Sequence, residues 1–168
     1  LRTQHGLKAI TLIRDQVKGA NVGVGTVCNA TEFDSAVDAG ANFVVSPGQS
    51  DALFDRALLT NIPFLPGAVT ATEVMASKEA GFNVLKFFPA STSGGAAAIK
   101  AFAGPFADLQ FVPTGGINLD NAGIYLSLSN VRAVGGSWLT PADAIQNGQW
   151  EHITQIAREA SQLGLSLI

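Results

Sequence analysis

The chain has 168 residues, ten basic and thirteen acidic, which gives a net charge of −3. This balance supplies no basic field for nucleic acid or an anionic membrane, so any anionic ligand must be bound locally. The single cysteine excludes an internal disulfide, and without a run of about 18 apolar residues or a signal-peptide pattern the expectation is a cytoplasmic protein.

Short apolar runs alternate with longer helical stretches along the whole chain, with no linker or charge block between them. The predicted strands cover residues 22–24, 43–45, 64–65, 84–88, 110–113 and 133–134. The predicted helices cover residues 3–18, 30–39, 50–59, 71–80, 94–103, 119–128 and 150–163, with Asn29 and Thr70 among the N-caps. Because six βα units follow one another, we predict a single α/β domain over residues 1–168 with a parallel sheet.

The residues that follow the strands favour a barrel over a nucleotide-binding sheet. The stretch GVGT at residues 23–26 lacks the third glycine of a dinucleotide fingerprint, and there is no Walker A motif. Barrel enzymes build their catalytic sites at the carboxyl ends of the strands, where this chain carries Gly, Ser, Thr and Pro. Gly115, Gly116, Gly136 and Ser137 follow the last two strands and form a predicted phosphate site, although the same glycines also suit tight turns.

Lys86 is the residue that a purely structural role explains least well. It lies inside the apolar run VLKFF at residues 84–88, and fully buried lysines are rare. Burial disfavours the ammonium form and leaves a free amine, which attacks a carbonyl carbon without the help of a metal. An amine that reaches water from the strand end, or one that pairs with a buried carboxylate, explains the same residue equally well at this point.

The other reactive residues give little support for a metal or a cofactor. His5 and His152 lie near opposite ends of the sequence without a second ligand at helical spacing, so we predict no metal site. Cys28 lacks an evident histidine or basic partner and is expected to pack inertly. Glu32, Glu73 and Glu79 lie on predicted helices, where they are expected to be solvated charges and not catalytic bases.

Six segments, read together, resemble one enzyme family. They are GTV at 25–27, SPG at 46–48, KFFPA at 86–90, AGPF at 103–106, PTGGI at 113–117 and GGSWL at 135–139. Over essentially the whole chain they resemble the 2-keto-3-deoxy-6-phosphogluconate (KDPG) aldolases, which are also known for cleaving 4-hydroxy-2-oxoglutarate. The resemblance implies a homotrimeric TIM (β/α)8 barrel without a cofactor, which reversibly cleaves KDPG to pyruvate and glyceraldehyde 3-phosphate in the Entner–Doudoroff route.

The resemblance also implies a role for each candidate residue. Lys86 matches the Schiff-base lysine, and Arg2 matches the arginine near the pyruvate carboxylate, which a guanidinium fork can grip with two hydrogen bonds. The positions that shape the pyruvate end of the pocket are matched by Thr26, Pro47 and Phe88, with Thr114 at its border. The phosphate end is matched by Gly115, Gly116, Gly136 and Ser137.

The chain departs from the family pattern at its start. The family's general base is a glutamate three residues before the arginine, and this chain begins one residue before Arg2. By the same comparison, the first βα unit and most of the second strand are absent. We therefore expect this sequence to be part of a longer enzyme, or a truncated product of one. Two alternatives remain: a barrel that binds or isomerises a sugar phosphate without imine chemistry, and a non-catalytic trimeric scaffold.

Overall fold

The computed structural model describes residues 1–163 of the chain. Its α-helices are α1 (Gly6–Gln16), α2 (Ala30–Asp38), α3 (Asp51–Thr60), α4 (Ala71–Glu79), α5 (Gly95–Phe102), α6 (Leu119–Leu126), α7 (Ala142–Gln146) and α8 (Trp150–Gln162). Its strands are β1 (Gly23–Val24), β2 (Phe43–Val45), β3 (Phe64–Leu65), β4 (Val84–Phe87) and β5 (Gln110–Pro113). Two 3-10 turns, Ser91–Ser93 and Ser137–Leu139, precede α5 and α7. Within the described residues, no helix has the length and apolar character needed to cross a membrane.

Several helices, among them α2, α3 and α4, begin at a residue whose side chain caps them. Asn29 accepts a hydrogen bond from the N–H of Glu32 at 2.9 Å, and Thr70 accepts one from the N–H of Glu73 at 3.3 Å, so both predicted N-caps are confirmed. Ser50 caps α3 with its side chain instead of opening the helix. All the predicted helices are present with ends shifted by at most about three residues, whereas α7 is too short to show a helical period in the sequence.

The chain divides into two compact units, and the first is Leu1–Lys86. In this unit β1, β2 and β3 form a parallel three-stranded sheet in chain order. Val24 lies opposite Val44, and Val44 lies opposite Phe64. Parallel strands need a crossover connection, which α2 and α3 supply here, and this is the α/β arrangement that the sequence predicts.

The two faces of this sheet are covered differently. Val44 and Phe64 belong to a buried core that includes Phe33 of α2 and Phe54 of α3. The rings of Phe33 and Phe54 meet Phe64 edge-on, with centroids 5.8 and 6.5 Å away, and each buried ring contributes roughly 1.5–3 kcal/mol. Phe43 points to the opposite face and is 38% exposed. Helices therefore cover one face of the sheet, while side chains on the other face remain accessible.

The second unit begins at Phe87 and has an aromatic core. The rings of Phe87, Phe102, Phe106 and Phe111 pack with centroids between 5.6 and 6.3 Å apart. The N–H of Thr114 donates to the carbonyl of Phe87 at 2.9 Å, which ties the end of β5 to the end of β4. Because each unit has a core of its own, the single domain expected over residues 1–168 stays a prediction.

The strand predicted at residues 133–134 is wrong, because the isolated bridges near it are made by Val131 and Gly135, on either side of this segment. The carbonyl of Phe111 accepts a hydrogen bond from the N–H of Arg132 at 2.9 Å. The next rung requires an N–H at position 113, where the residue is Pro113 and has none. Pairing resumes at the N–H of Gly135, which donates to the carbonyl of Pro113 at 2.9 Å.

Candidate active site

Lys86 is the third of the four residues in β4 and is half-buried. Leu85 and Phe87, its neighbours in the strand, are completely buried, whereas Val84 is 38% exposed. Because side chains alternate along a strand, Lys86 shares the more accessible face with Val84. The amine therefore loses part of its hydration but remains within reach of a small molecule.

Burial and two neighbouring groups set the charge state of Lys86. Burial lowers the pKa of Lys86 from its ordinary value of 10.5, the nearby cation of Arg2 lowers it further, and Cys28 acts in the opposite direction. Cys28 is exposed, so the packing expected for it is wrong, while its lack of a nucleophilic role stays a prediction. A lowered pKa increases the fraction of free amine near neutral pH, which attack on a carbonyl carbon requires.

Replacing Arg2 with alanine is expected to raise the pKa of Lys86, because it removes a cation that disfavours the ammonium form. Acylation of Lys86 by a small reagent, followed by peptide mapping at each pH, should show the titration at higher pH in Arg2→Ala. Between the folded and unfolded pKa values the folded chain binds fewer protons, so the free energy of unfolding rises with pH across that interval. Arg2→Ala should bring the folded pKa of Lys86 closer to the unfolded pKa, so the range of pH over which the free energy of unfolding rises should become narrower.

The control for this titration is Arg14→Ala, which removes an exposed arginine that pairs with Asp15. It should leave the acylation profile of Lys86 unchanged. If Arg2→Ala and the unaltered chain gave superimposable profiles, the cation at position 2 would have no influence on the amine.

Thr26 follows β1 in a strained backbone conformation. Its φ is 60°, a left-handed value that β-branched residues rarely adopt and that costs on the order of 1–3 kcal/mol. The N–H of Val27 donates to the carbonyl of Val45 at 3.3 Å and ties this turn to the end of β2. Strain of this kind concentrates at functional sites. The hydroxyl of Thr26 thus belongs to a turn that is fixed by a backbone hydrogen bond at the carboxyl end of the sheet.

The turn after β2 lies directly against the end of β3. The N–H of Gly67 donates to the carbonyl of Gly48 at 2.9 Å, and Gly67 pairs with Lys86 in an isolated parallel bridge. Pro47, which precedes Gly48, therefore lies over the residue opposite Lys86. The first unit brings together four of the predicted site residues, Arg2, Thr26, Pro47 and Lys86.

Two glutamates lie beside these turns, and both stabilise helix starts. Glu32 accepts a hydrogen bond from the N–H of Cys28 at 2.7 Å. Glu73 accepts hydrogen bonds from the N–H groups of Val69 and Thr70 at 2.9 and 2.8 Å. Partial burial would raise the pKa of Glu73, but these hydrogen bonds outweigh burial and lower it. Both carboxylates are therefore bound to backbone N–H groups at the starts of α2 and α4.

The predicted phosphate residues lie in the second unit. Gly115 and Gly116 have φ values of 97° and 73°, which glycine adopts without steric cost. A turn of this kind ahead of a helix presents backbone N–H groups to an anion, and α6 begins three residues later. The amide of Asn121 donates to the carbonyl of Gly116 at 2.9 Å, and the ring of Phe88 lies against Gly115.

Gly136 lies beside the same turn. A Cβ atom there would be 1.7 Å from the ring of Trp138 and 2.9 Å from the carbonyl oxygen of Ile117, so only glycine fits. Thr114 pairs with the glycine before Gly136, and Ser137 opens the next 3-10 turn with an exposed side chain. The second unit thus brings together six of the predicted residues, Phe88, Thr114, Gly115, Gly116, Gly136 and Ser137.

Residues 1–163 contain no group of three or more His, Cys, Asp or Glu side chains that could hold a metal ion. The first unit instead carries an amine, a guanidinium and a hydroxyl at its strand ends, and the second unit carries hydroxyls and backbone N–H groups at its own. The amine and the guanidinium suit a carbonyl and a carboxylate, and the backbone N–H groups of the second unit suit an anion.

Comparisons with known proteins point to one enzyme family. The family model for KDPG and KHG aldolase matches residues 1–156. The 2-dehydro-3-deoxy-phosphogluconate aldolase of Pseudomonas aeruginosa is 44% identical over 95% of this chain and 73% of its own length. The KHG/KDPG aldolase of Escherichia coli K12 is also 44% identical, over 95% of this chain and 75% of its own length.

A solved structure shows the same similarity in three dimensions. The KDPG aldolase of Legionella pneumophila is 41% identical and superposes with a TM-score of 0.93, over 95% of this chain and 78% of its own. In that crystal structure pyruvate is held as a covalent carbinolamine. The likeness places this chain in the α/β fold class of the TIM-barrel type, as the sequence predicts.

Proposed function

The chain belongs to the KDPG and KHG aldolase family, and we propose the following reaction and residue roles for it. It is a lyase, a class I aldolase that reversibly cleaves 2-dehydro-3-deoxy-6-phosphogluconate to pyruvate and glyceraldehyde 3-phosphate. It also cleaves 4-hydroxy-2-oxoglutarate to pyruvate and glyoxylate, because both substrates share the pyruvate half. The observation that carries this proposal is a half-buried lysine at the end of β4 with a lowered pKa.

Lys86 forms the covalent intermediate in this reaction. Its free amine attacks the keto carbon to give a carbinolamine, and loss of water gives an iminium ion. The C3–C4 bond then breaks, its electron pair moves toward the positive nitrogen, and the proton of the C4 hydroxyl leaves, so that an aldehyde departs. The remaining enamine takes a proton at C3, and hydrolysis releases pyruvate and restores the amine.

The other site residues bind and orient the substrate. The guanidinium of Arg2 binds the carboxylate next to the keto carbon, while Thr26, Pro47 and Phe88 enclose the pyruvate half, with Thr114 at its border. The phosphate of the aldehyde half is bound by Gly115, Gly116, Gly136 and Ser137. Support for these roles comes from the grouping of the residues within each unit, from the strained turn at Thr26 and from the left-handed turn at Gly115 and Gly116.

Reduction with borohydride in the presence of pyruvate tests the proposal. Borohydride reduces an imine to a stable amine, so intact mass and peptide mapping should show one pyruvate-derived adduct per chain, on Lys86. Labelling at a residue other than Lys86 would favour a sugar-phosphate binder or isomerase. The same conclusion would follow if neither this chain nor a version with additional N-terminal residues were labelled. Labelling without turnover would favour a scaffold that has kept a reactive amine.

Replacing Ser137 with alanine is expected to raise the KM for the phosphorylated substrate by about tenfold, because one hydroxyl donor to the phosphate is lost. The KM for 4-hydroxy-2-oxoglutarate, which has no phosphate, should change little. Steady-state kinetics with both substrates measures the difference, and Ser161→Ala on α8 is a matched exposed-serine control. Equal losses with the two substrates would show that Ser137 does not act on the phosphate.

Assembly and location complete the proposal. The chain forms a homotrimer in the cytoplasm. Exposed apolar side chains on α3 and α6, including Leu59 at 74% and Ile124 at 60% exposure, offer surface that a neighbouring subunit can cover. Sedimentation equilibrium should give three times the mass of one chain, and cell fractionation checks the location.

A further inference from the structure

We infer that Gly67 is a positioning residue: the absence of a side chain at position 67 sets Pro47 beside Lys86 and thereby determines how tightly the keto acid binds. The inference rests on the proposed function, in which Pro47 encloses the pyruvate half of the substrate. Every contact that it uses lies within the first unit.

Gly67, two residues after β3, and Lys86 of β4 are partners in an isolated parallel bridge. The N–H of Lys86 donates to the carbonyl of Pro66 at 2.8 Å, and the carbonyl of Lys86 accepts from the N–H of Ala68 at 2.9 Å. Partners in register present their side chains on the same face of a sheet, with the strands about 4.8 Å apart. A side chain at position 67 would therefore stand next to the aliphatic stem of Lys86.

The space beside that stem is filled by the backbone of the turn after β2. A Cβ atom on Gly67 would lie 2.1 Å from the carbonyl oxygen of Pro47, 2.3 Å from its carbonyl carbon and 2.6 Å from the nitrogen of Gly48. These are backbone atoms, so they cannot turn aside as the end of a flexible side chain does. The Pro47–Gly48 peptide thus packs directly against Gly67, the residue that is paired with Lys86.

Hydrogen bonds on both sides of Pro47 hold this segment in place and oppose its movement away from Gly67. Ser46 is 1% exposed, its N–H donates to the carbonyl of Leu65 at 3.1 Å, and its hydroxyl accepts from the N–H of Gly48 at 3.3 Å. The amide of Gln49 donates to the carbonyl of Glu73 at 3.0 Å. A Cβ atom at position 67 therefore displaces the part between these anchors, which is Pro47.

Backbone conformation does not account for a glycine at this position. The φ of Gly67 lies outside the left-handed range, so no left-handed turn restricts this position to glycine. What requires glycine is the close approach of Pro47.

The test compares the pyruvate dependence of borohydride trapping in the unaltered chain and in Gly67→Ala. The pyruvate concentration that gives half-maximal labelling of Lys86 should rise by about tenfold, since a displacement of about 1 Å can cost more than that. Lower stability alone would raise the half-saturating concentration only by the reciprocal of the folded fraction, which circular dichroism of the variant measures. Gly123→Ala on α6 makes the same chemical change where a Cβ meets nothing within 4 Å, and it should leave the dependence unchanged.

A folded Gly67→Ala chain with the unaltered pyruvate dependence would overturn the inference while leaving the aldolase assignment intact. If Gly67→Ala does not fold, Pro47→Gly tests the inference instead. This substitution makes the backbone at position 47 more flexible without adding an atom at position 67. It should raise the half-saturating concentration by a similar factor, and an unchanged value overturns the inference. Absence of labelling in the unaltered chain would instead overturn the proposed function, and this inference with it.

Discussion

With Lys86 replaced by alanine, the chain should show no pyruvate-derived adduct after borohydride reduction, and cleavage of KDPG should fall by at least about 10³-fold. The amine at position 86 is the only group in the proposed mechanism that bonds to the substrate, so no neighbouring residue takes over its role. Peptide mapping of the reduced protein and a coupled assay for pyruvate release measure the two effects.

Two further variants separate the chemistry of the amine from its charge. Lys86→Arg keeps a cation at the end of β4 but offers no free amine near neutral pH, so it should be as inactive as Lys86→Ala. Lys100→Ala removes an exposed lysine from α5 and should trap pyruvate normally. Near-normal turnover in Lys86→Ala would disprove the assignment of the nucleophile.

The strand that holds Lys86 could be predicted from the sequence because its signal is local. A charged residue within VLKFF stands out against the apolar side chains beside it, and β4 runs over Val84–Phe87 with Leu85 and Phe87 completely buried. The left-handed turn at Gly115 and Gly116 is local in the same sense, since paired glycines after a strand indicate such a turn without knowledge of the rest of the chain.

Contacts between distant segments could not be predicted in this way. Nothing near Gly67 in the sequence shows that the carbonyl of Pro47 fills its Cβ position. The influence of Arg2 on the pKa of Lys86 likewise joins residues that are far apart in the sequence. Residues 133–134 form no strand because Pro113, on the facing strand β5, has no N–H to donate. The cause therefore lies in β5 and not in residues 133–134. In each case the deciding atom belongs to another part of the chain.

Replacing Gly116 with alanine should lower kcat/KM for KDPG by about a hundredfold while leaving the pyruvate dependence of trapping at Lys86 unchanged. A Cβ atom at this position would lie 2.2 Å from the hydroxyl oxygen of Ser91 and 2.6 Å from its Cβ. The φ of 73° adds a cost of about 1–2 kcal/mol for any residue with a side chain. Either the turn or Ser91 must move, and movement of the turn redirects the N–H groups that bind the phosphate.

A second substitution separates the two causes of that loss. In a chain with both Gly116→Ala and Ser91→Gly, the clash is gone but the left-handed φ remains, so kcat/KM should recover in part. Gly104→Ala, whose Cβ would meet nothing closer than 3.8 Å, is the control for adding a methyl group in this unit. A folded Gly116→Ala chain that loses as much activity on 4-hydroxy-2-oxoglutarate as on KDPG would place the damage at the pyruvate end. The phosphate role of the turn would then be wrong, while the assignment of Lys86 as the nucleophile would be unaffected.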